Sequence, residues 1–295
     1  MTGSSRQTSL ARLQEFGIRP KRHLGQNFLI DDNIVRVILE RLEARADDVA
    51  IEVGGGLGVL TEALARETAH VHTFEIDPDL EAPLRATVGT NPRVSLYVED
   101  VMRFELESLT PPPTLCASNL PYSVAAPFIA EAVWRLPLIR RYVIMTQREV
   151  ADRLLARPGS RTYAGVTAWV GMFLELLEHR PLSRKIFYPQ PNVDSSLLTF
   201  RRREPPELAA RHPRVVRRVI EAAFSQRRKA LANSLAGGLG VEKAAVIEAI
   251  RRVGLDPGVR AETLSSGEFV DLAGAIMQSL QSLHLRDGGE ELWTN

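Results

Sequence analysis

Short apolar and β-branched runs alternate with longer stretches whose apolar residues recur three and four positions apart, from residue 30 to residue 155. This alternation is typical of a parallel sheet wrapped by helices. We predict strands over residues 49–53, 71–75, 94–98, 115–118 and 142–146. Between them we predict helices over residues 34–42, 60–66, 79–87, 128–135 and 149–155. The chain is therefore expected to contain an α/β domain.

The pattern changes in the second half of the chain. Residues 173–177 and 196–200 are predicted to close the sheet as an antiparallel edge, and Glu204-Pro205-Pro206 has the composition of a linker. Helical periodicity follows over residues 215–224, 228–235, 242–252 and 268–283. At roughly 150 residues per domain, a chain of 295 residues with 44% hydrophobic content supports two domains. We place them at residues 1–203 and 204–295, the second being a smaller C-terminal α-helical domain.

The composition narrows the class of protein. The formal net charge is +1, so the charge of the whole chain indicates no polyanionic partner. The single cysteine, Cys116, cannot form an internal disulfide, which is typical of a reducing compartment. The first 20 residues hold no signal-like apolar run, and the longest mostly apolar run, residues 164–174, is shorter than the roughly 20 residues that cross a bilayer. We expect a cytoplasmic protein without a membrane partner.

A glycine-rich loop follows the first predicted strand, in Ile51-Glu52-Val53-Gly54-Gly55-Gly56-Leu57-Gly58. Glycines let a backbone turn sharply and approach a ligand closely. A dinucleotide fingerprint started at Gly54 places Val59 at its last glycine position. The spacing Gly54, Gly56, Gly58 is instead that of a loop for S-adenosylmethionine, which carries no pyrophosphate.

Two acids stand at the ends of the next strands. Glu75 lies about 20 residues after Gly54, where a carboxylate accepts from ribose hydroxyls in either NAD or S-adenosylmethionine. Asp100 closes the third strand, where its carboxylate can accept from an adenine amino group. Each acid alone is more commonly a solvated loop carboxylate. Their strand-end positions after a glycine loop favour a nucleoside site.

The tetrapeptide Asn119-Leu120-Pro121-Tyr122 ends the fourth predicted strand, at the edge where open α/β sheets bind ligands. An amino group on an aromatic base is a poor nucleophile because its lone pair is delocalised. Acceptors around its N–H bonds, here the Asn119 side-chain oxygen and a neighbouring backbone carbonyl, let the nitrogen aim that pair at a methyl group. Pro121 stiffens the turn, and Tyr122 is placed to stack on the base.

Three further segments complete a set of ordered motifs: Gly25-Gln26-Asn27-Phe28-Leu29, Phe187-Tyr188-Pro189-Gln190-Pro191-Asn192-Val193-Asp194-Ser195-Ser196 and Phe224-Ser225-Gln226-Arg227-Arg228-Lys229. With the glycine loop, the two acids and the tetrapeptide, the chain resembles the ribosomal RNA adenine N6-dimethyltransferases of the KsgA type, over roughly residues 18–280. Gly55 departs from that pattern, because many relatives carry proline there.

The resemblance implies a Rossmann-like sheet of an S-adenosylmethionine-dependent methyltransferase. It implies that the methyl donor is held by Asn27, Leu29, Gly54, Glu75, Asp100 and Asn119. The target base would be held by Asn119, Tyr122 and Phe187, the last expected in a surface loop because of its neighbouring prolines. The implied reaction is dimethylation of N6 of two adjacent adenosines in the 3′-terminal hairpin of small-subunit (16S) rRNA, linked to ribosome biogenesis. The implied partner is rRNA in the small subunit or its precursor, and we expect a monomer.

Basic residues cluster despite the small net charge. Residues 201–229 contain Arg201, Arg202, Arg203, Arg211, Arg214, Arg217, Arg218, Arg227, Arg228 and Lys229. A second cluster, of Arg19, Lys21, Arg22 and His23, precedes the first predicted helix of the sheet. Such clusters supply salt-dependent affinity for phosphates. We therefore predict an RNA-binding role for them, and for the C-terminal domain, over that of a merely solvated face.

Three alternative functions remain open from the sequence. A ribosome-assembly factor would use the fold to bind immature small subunits, with methylation secondary. A large-subunit rRNA adenine N6-methyltransferase would carry the same motifs, although Leu120 favours the small-subunit branch. A nicotinamide-dependent oxidoreductase is disfavoured by Val59 in the fingerprint. No metal site is expected, because only His70 and His72 are close in sequence and no third ligand is near them.

Overall fold

The computed structural model describes residues 6–21, 24–226 and 228–287, without the side chains of residues 6–8, 122 and 280–287. The chain divides into two compact units, residues 1–151 with 174–202, and residues 152–173 with 203–295. The chain passes from the first unit to the second after residue 151 and again after residue 202, and the later of these two points lies next to the boundary predicted after residue 203. The earlier point was not predicted: residues 152–173 belong to the helical unit and not to the α/β unit.

Nine strands are found in the described part of the chain. They are β1 (Phe28–Leu29), β2 (Val49–Val53), β3 (His70–Phe74), β4 (Val94–Tyr97), β5 (Leu115–Asn119), β6 (Arg141–Gln147), β7 (Leu174–Leu182), β8 (Phe187–Tyr188) and β9 (Ser195–Arg202). Seven of them form one sheet of order β4-β3-β2-β5-β6-β9-β7. Strands β2 to β6 are mutually parallel, and β9 runs antiparallel to both of its neighbours, β6 and β7. The predicted Rossmann-like sheet and its antiparallel edge are confirmed.

Helices of the α/β unit cover this sheet. They are α1 (Arg6–Glu15), α2 (Asp32–Leu42), α3 (Val59–Glu67), α4 (Glu81–Val88), α5 (Tyr122–Arg135) and the first part of α6 (Arg148–Leu154), which continues into the second unit. The side chain of Asp31 caps α2 by accepting from the Asn33 N–H, and Ile34, Ile38 and Leu42 then recur at helical spacing on its buried face. They pack in one core with Leu64 of α3 and with strand residues of the sheet.

Two element boundaries differ from the sequence prediction in ways that matter for the site. Strand β3 runs from His70 to Phe74 rather than over residues 71–75, so that Glu75 lies just past its end. Helix α5 begins at Tyr122 rather than at residue 128, because Pro121 at its N-cap leaves the tetrapeptide turn directly into the helix.

Arg202 has a structural role in this unit. Its guanidinium donates to the carbonyls of Val133, Leu136 and Ile139, at and just beyond the C-terminal end of α5, and to the hydroxyl of Tyr142. Carbonyls at a helix end have no partner within the helix, and a cation there also meets the negative end of the helix dipole. Arg202 was counted in the predicted RNA-binding cluster, and that part of the prediction is wrong.

The second unit is helical among its described residues. Its helices are α7 (Gly165–Phe173), α8 (Glu207–Arg211), α9 (Pro213–Phe224), α10 (Leu231–Leu239), α11 (Lys243–Arg252) and α12 (Ser266–Asp287). Helix α7 was not predicted. A Cβ on Gly165 would lie 3.1 Å from Cγ2 of Ile220, so α7 packs closely on α9. Within the described residues, no helix is both long and apolar enough to cross a membrane.

Candidate active site

A cavity lies at the carboxyl ends of the parallel strands, where the chain order of the sheet reverses between β2 and β5. Open α/β sheets bind ligands at such switch points because the loops after the two strands diverge there. The loop after β2 and the turn after β5 both line it and contact each other. A Cβ placed on Gly54 would lie 3.2 Å from the backbone oxygen of Asn119, and Gly54 has a φ of +83°. Glycine is therefore required where these two loops meet.

The glycine loop is fixed by backbone hydrogen bonds. The N–H groups of Gly54 and Gly55 both donate to the Phe74 carbonyl, at 2.8 and 3.0 Å. A Cβ on Gly55 would lie only 2.5 Å from Oγ1 of Thr73, so this chain has no room for a larger residue there without a shift. Glycine at position 55, where many relatives carry proline, therefore fits the close approach of the Thr73 side chain.

Glu75 is held at the floor of the cavity. The N–H of Gly56 donates to its Oε2 at 2.8 Å, and the N–H of Asp77 donates to its Oε1 at 2.9 Å. Burial raises the pKa of the Glu75 carboxyl, and the N–H groups of Asp77 and Gly56 hold that rise back. Each oxygen keeps a further lone pair, so the carboxylate can still accept from a ligand's hydroxyl groups.

Residues 21–29 are tied to the loop that follows Glu75. The Lys21 ammonium donates to Oδ1 of Asp77 and the Gln26 amide donates to Oδ2, each at 2.6 Å. Burial works to raise the pKa of Asp77, but the hydrogen bonds from Lys21 and Gln26 outweigh it and leave that pKa below its usual range. The ion pair anchors the N-terminal segment beside the cavity. Two members of the predicted basic cluster here, Arg22 and His23, lie outside the described residues.

The Asn119 amide has a defined orientation. Its Nδ2 donates to the backbone oxygen of Asn27 at 3.1 Å, and the N–H of Leu120 donates to the Met145 carbonyl at 2.9 Å. None of the described residues donates to Oδ1 of Asn119. The amide nitrogen is therefore occupied by the protein, and the oxygen remains available as an acceptor.

Phe187 is buried rather than exposed on a loop. It belongs to β8, which pairs antiparallel with β1 so that Phe187 lies opposite Leu29. Only 4% of Phe187 is exposed, and the residue packs in the core while also lining the cavity. The expectation of a surface loop was wrong, because β1 supplies a pairing partner that the proline-rich sequence does not reveal.

Asp100 follows β4, an edge strand of the sheet, and lines the cavity. Its Oδ1 accepts from the Met102 N–H at 2.9 Å, and its side chain is 32% exposed. The exposed Ile76, next to Glu75, lines the same region. An apolar side chain beside an acceptor suits a flat ring with an amino group.

The predicted site residues with described side chains all line this one cavity. They are Asn27, Leu29, Gly54, Glu75, Asp100, Asn119 and Phe187. Tyr122 begins α5, and its side chain lies outside the part of the chain that the structure describes. Sequence reasoning missed Glu52, Thr146 and Gln147, which also line the cavity. Gln147 ends a parallel strand as Asn119 does, so the strand-end rule applied to Asn119 would have found it.

Comparison with known proteins identifies relatives over most of the chain. A family model described as ribosomal RNA adenine dimethylase matches residues 17–278. A protein named ribosomal RNA small subunit methyltransferase A from Kineococcus radiotolerans is 42% identical over 259 residues, which cover 87% of this chain and 86% of that one. A protein of the same name from Geobacillus thermodenitrificans is 40% identical over 275 residues, 90% of this chain and 94% of that one.

Two solved structures share the fold. A dimethyladenosine transferase from Plasmodium falciparum has a TM-score of 0.71 at 22% identity, covering 85% of this chain and 98% of that one. The 23S rRNA methyltransferase ErmE has a TM-score of 0.60 at 26% identity, covering 85% of this chain and all of that one. On the matched span and these identities, the chain belongs to the ribosomal RNA adenine dimethylase family.

Proposed function

We propose that this enzyme transfers methyl groups from S-adenosylmethionine to N6 of two adjacent adenosines in the 3′-terminal hairpin of small-subunit rRNA, each twice. One observation carries the proposal. Asn119 lines the same cavity as the Glu75 carboxylate; its amide nitrogen donates to Asn27, and none of the residues that the structure describes donates to its side-chain oxygen. One cavity at the switch point of the sheet therefore contains both an acceptor for an exocyclic amine and an acceptor for ribose hydroxyls.

The cavity fits the methyl donor. The close approach of Gly54 to Asn119 leaves no side chain between the two loops, and Glu75 is buried with lone pairs available for ribose hydroxyls. Asp100 and Ile76 suit the adenine ring, and Asn27 and Leu29 also line the cavity. When bound, the donor supplies an electrophilic methyl carbon on a positively charged sulfur.

The chain's own residues orient the target amine. Asn119 Oδ1 accepts one N6–H bond, which draws the nitrogen lone pair out of conjugation with the ring and towards the methyl carbon. Phe187, buried at the cavity wall, provides an apolar face for the base, and Tyr122 is proposed as the opposite face. Holding the two reacting atoms in line supplies most of the rate enhancement. The N6 proton is released to solvent.

Several features favour the small-subunit reaction over the alternatives. Relatives named for the small subunit reach 42% identity, against 26% for the 23S rRNA enzyme. Family membership removes the nicotinamide-dependent oxidoreductase. The ribosome-assembly role is retained as an additional role for the same protein. We propose a monomer, working in the cytoplasm where the subunit is assembled.

A methylation assay and two variants test this function. Incubation with labelled donor and unmethylated small subunits should give dimethylated adenosine at two adjacent sites, while large subunits should take up no label. Asn119→Ala should reduce the rate at saturating donor by about 100-fold or more, because it removes an acceptor that acts on the amine. Glu75→Gln should weaken donor binding about tenfold or more by calorimetry. Full methylation by Asn119→Ala would contradict the proposal.

A further inference from the structure

Gln147 ends β6, on the side of the cavity away from the acids of the proposed donor site. In the strand order β4-β3-β2-β5-β6, Asp100 and Glu75 follow the first two strands. Asn119, at the end of β5, lies opposite Met145 of β6. Gln147 stands two residues beyond Met145, on the same face of the sheet and about 7 Å further towards its carboxyl edge. It lines the cavity there.

The side-chain oxygen of Gln147 is buried without a partner. Gln147 is only 8% exposed, and none of the described residues donates a hydrogen bond to its Oε1. Folded proteins rarely leave a buried acceptor unpaired, because such an atom has given up its hydrogen bonds to water. An orphan acceptor in the wall of a ligand cavity is therefore expected to meet a donor on the ligand.

The chemistry of the target nucleoside leaves one such donor. Adenine carries N–H donors only at N6. Both N6–H bonds are assigned to the tetrapeptide turn, one to the Asn119 side-chain oxygen and the other to a backbone carbonyl. Within an RNA chain O3′ and O5′ carry phosphates, so the one hydroxyl of the target ribose is the 2′-OH, which RNA has and DNA lacks.

The position of Gln147 suits this hydroxyl. The amine and the glycosidic bond lie at opposite ends of a purine, so an adenosine whose amine meets Asn119 holds its ribose away from Asn119, towards the RNA chain. Gln147 lies further out along the sheet than Asn119. We propose that Gln147 is a specificity-determining residue whose Oε1 accepts from the 2′-OH of the target adenosine. This inference rests on the proposed function and adds to it a means of selecting RNA over DNA.

A substrate that lacks only the hydroxyl donor tests this contact. Small subunits are reconstituted with a 3′-terminal hairpin whose target adenosines carry either the 2′-OH or a 2′-fluorine, which keeps an RNA-like sugar but cannot donate. Single-turnover rates are measured by mass spectrometry with enzyme in excess but below saturation. With the wild type, fluorine should slow methylation about tenfold or more, because it leaves a buried acceptor unpaired. Fluorine on the nucleotide before the target pair should change the rate less than about twofold.

The variant Gln147→Met, similar in shape but without an acceptor oxygen, identifies the partner of the hydroxyl. It should slow methylation of the unmodified subunit about tenfold and reduce the effect of fluorine to less than about twofold, since the contact is already lost. It should slow both methyl transfers alike, because N6-methyladenosine has the same ribose. Gln147→Leu should behave in the same way. The control Gln14→Met, the same change at an exposed position of α1, should alter neither rate nor discrimination.

The opposite results overturn the inference in distinguishable ways. Equal rates of the wild type on fluorinated and unmodified targets would remove it and leave the proposed function in place. A Gln147→Met variant that discriminates against fluorine as strongly as the wild type would place the partner of the hydroxyl elsewhere. Slowing of the first methyl transfer alone would mean that the oxygen serves the amine, and weaker donor binding by calorimetry that it serves the methyl donor. Failure of the wild type to methylate the unmodified subunit would instead remove the proposed function.

Discussion

Three carboxyl groups near the glycine loop have pKa values that their neighbours shift in different ways. Burial raises the pKa of Glu52 to about 8, although the hydroxyls of Thr61 and Thr73 donate to its Oε2. Lys21 and Gln26 leave the pKa of Asp77 below its usual range against the effect of burial. Burial also raises the pKa of Glu75, and the backbone N–H groups that donate to both of its oxygens counter that rise. Burial therefore favours the neutral form of Glu52, whereas hydrogen-bond donors favour the charged forms of Glu75 and Asp77.

Glu52→Gln should change how stability depends on pH. Between pH about 4.5 and about 8 the folded protein binds a proton at Glu52 that the unfolded chain releases, so stability falls as pH rises through this window. Glutamine is neutral throughout and keeps an acceptor oxygen for both threonines. The variant should unfold like the wild type near pH 5 and be more stable by a few kcal/mol, on the order of 1.4 kcal/mol per pKa unit, near pH 9.

Urea denaturation at a series of pH values measures this difference. The matched control is Glu67→Gln at the exposed C-terminal end of α3, which should leave the pH profile unchanged. A constant offset between Glu52→Gln and the wild type at all pH values would show that Glu52 does not titrate in this range.

Residues that line the cavity were predictable from the sequence where a hydrogen-bond acceptor side chain stands at the end of a predicted strand. Glu75, Asp100 and Asn119 each stand at the end of a predicted strand, and the edge of a parallel sheet brings such positions together. Arg202 was misassigned because a run of arginines does not reveal that one of them caps a helix from a strand end. Such a contact joins residues far apart in sequence, and nothing local encodes it.

At the scale of elements, the regular strands and helices were found and the shortest ones were not. Strands β1 and β8 have two residues each, too few for any periodicity, and they exist because their backbones pair with each other. Helix α7 was missed because it is apolar on nearly all sides and follows no capping residue, so its pattern does not distinguish helix from strand. Both elements depend on tertiary contacts that local sequence does not specify.

The docking of residues 21–29 gives a prediction at this scale. Asp77→Asn should lower the free energy of unfolding by about 1–3 kcal/mol at pH 7, because the nearly buried carboxylate accepts from Lys21 and Gln26 and an amide nitrogen would oppose one of these donors. Since the pKa of Asp77 is lowered in the folded state, the advantage of the wild type is present above its ordinary value of 3.8 and is lost as pH falls through the folded value.

Chemical denaturation at pH 7 and near pH 3 checks this expectation. Glu81→Gln, the same acid-to-amide change in an exposed pair with Arg85, should cost less than about 0.5 kcal/mol at either pH. Equal costs for the two variants would mean that the N-terminal segment contributes no more than an ordinary surface pair.

At the scale of the whole molecule, a net charge of +1 conceals how the cations are used. Within the described part of the 201–229 cluster, Arg201, Arg211 and Arg217 each pair with a glutamate. Arg227 lies outside the described residues. Arg214 and Arg218 are exposed one helical turn apart on α9, and among the described residues neither has an acidic partner. These two are the cations of α9 best placed to meet phosphates.

RNA binding should therefore lose salt dependence when these two charges are removed. Each phosphate contact releases counterions and adds about 0.7–0.9 to the slope of log affinity against log salt. The double variant Arg214→Gln, Arg218→Gln should reduce that slope by about 1.4–1.8 for small subunits, with the single-turnover rate at saturating subunits unchanged. The control, Arg66→Gln with Arg85→Gln, removes two exposed charges that pair with Glu62 and Glu81 and should leave the slope unchanged. Equal slopes for the two double variants would show that α9 contributes only general charge, since both lose two cations and differ only in where those cations stand.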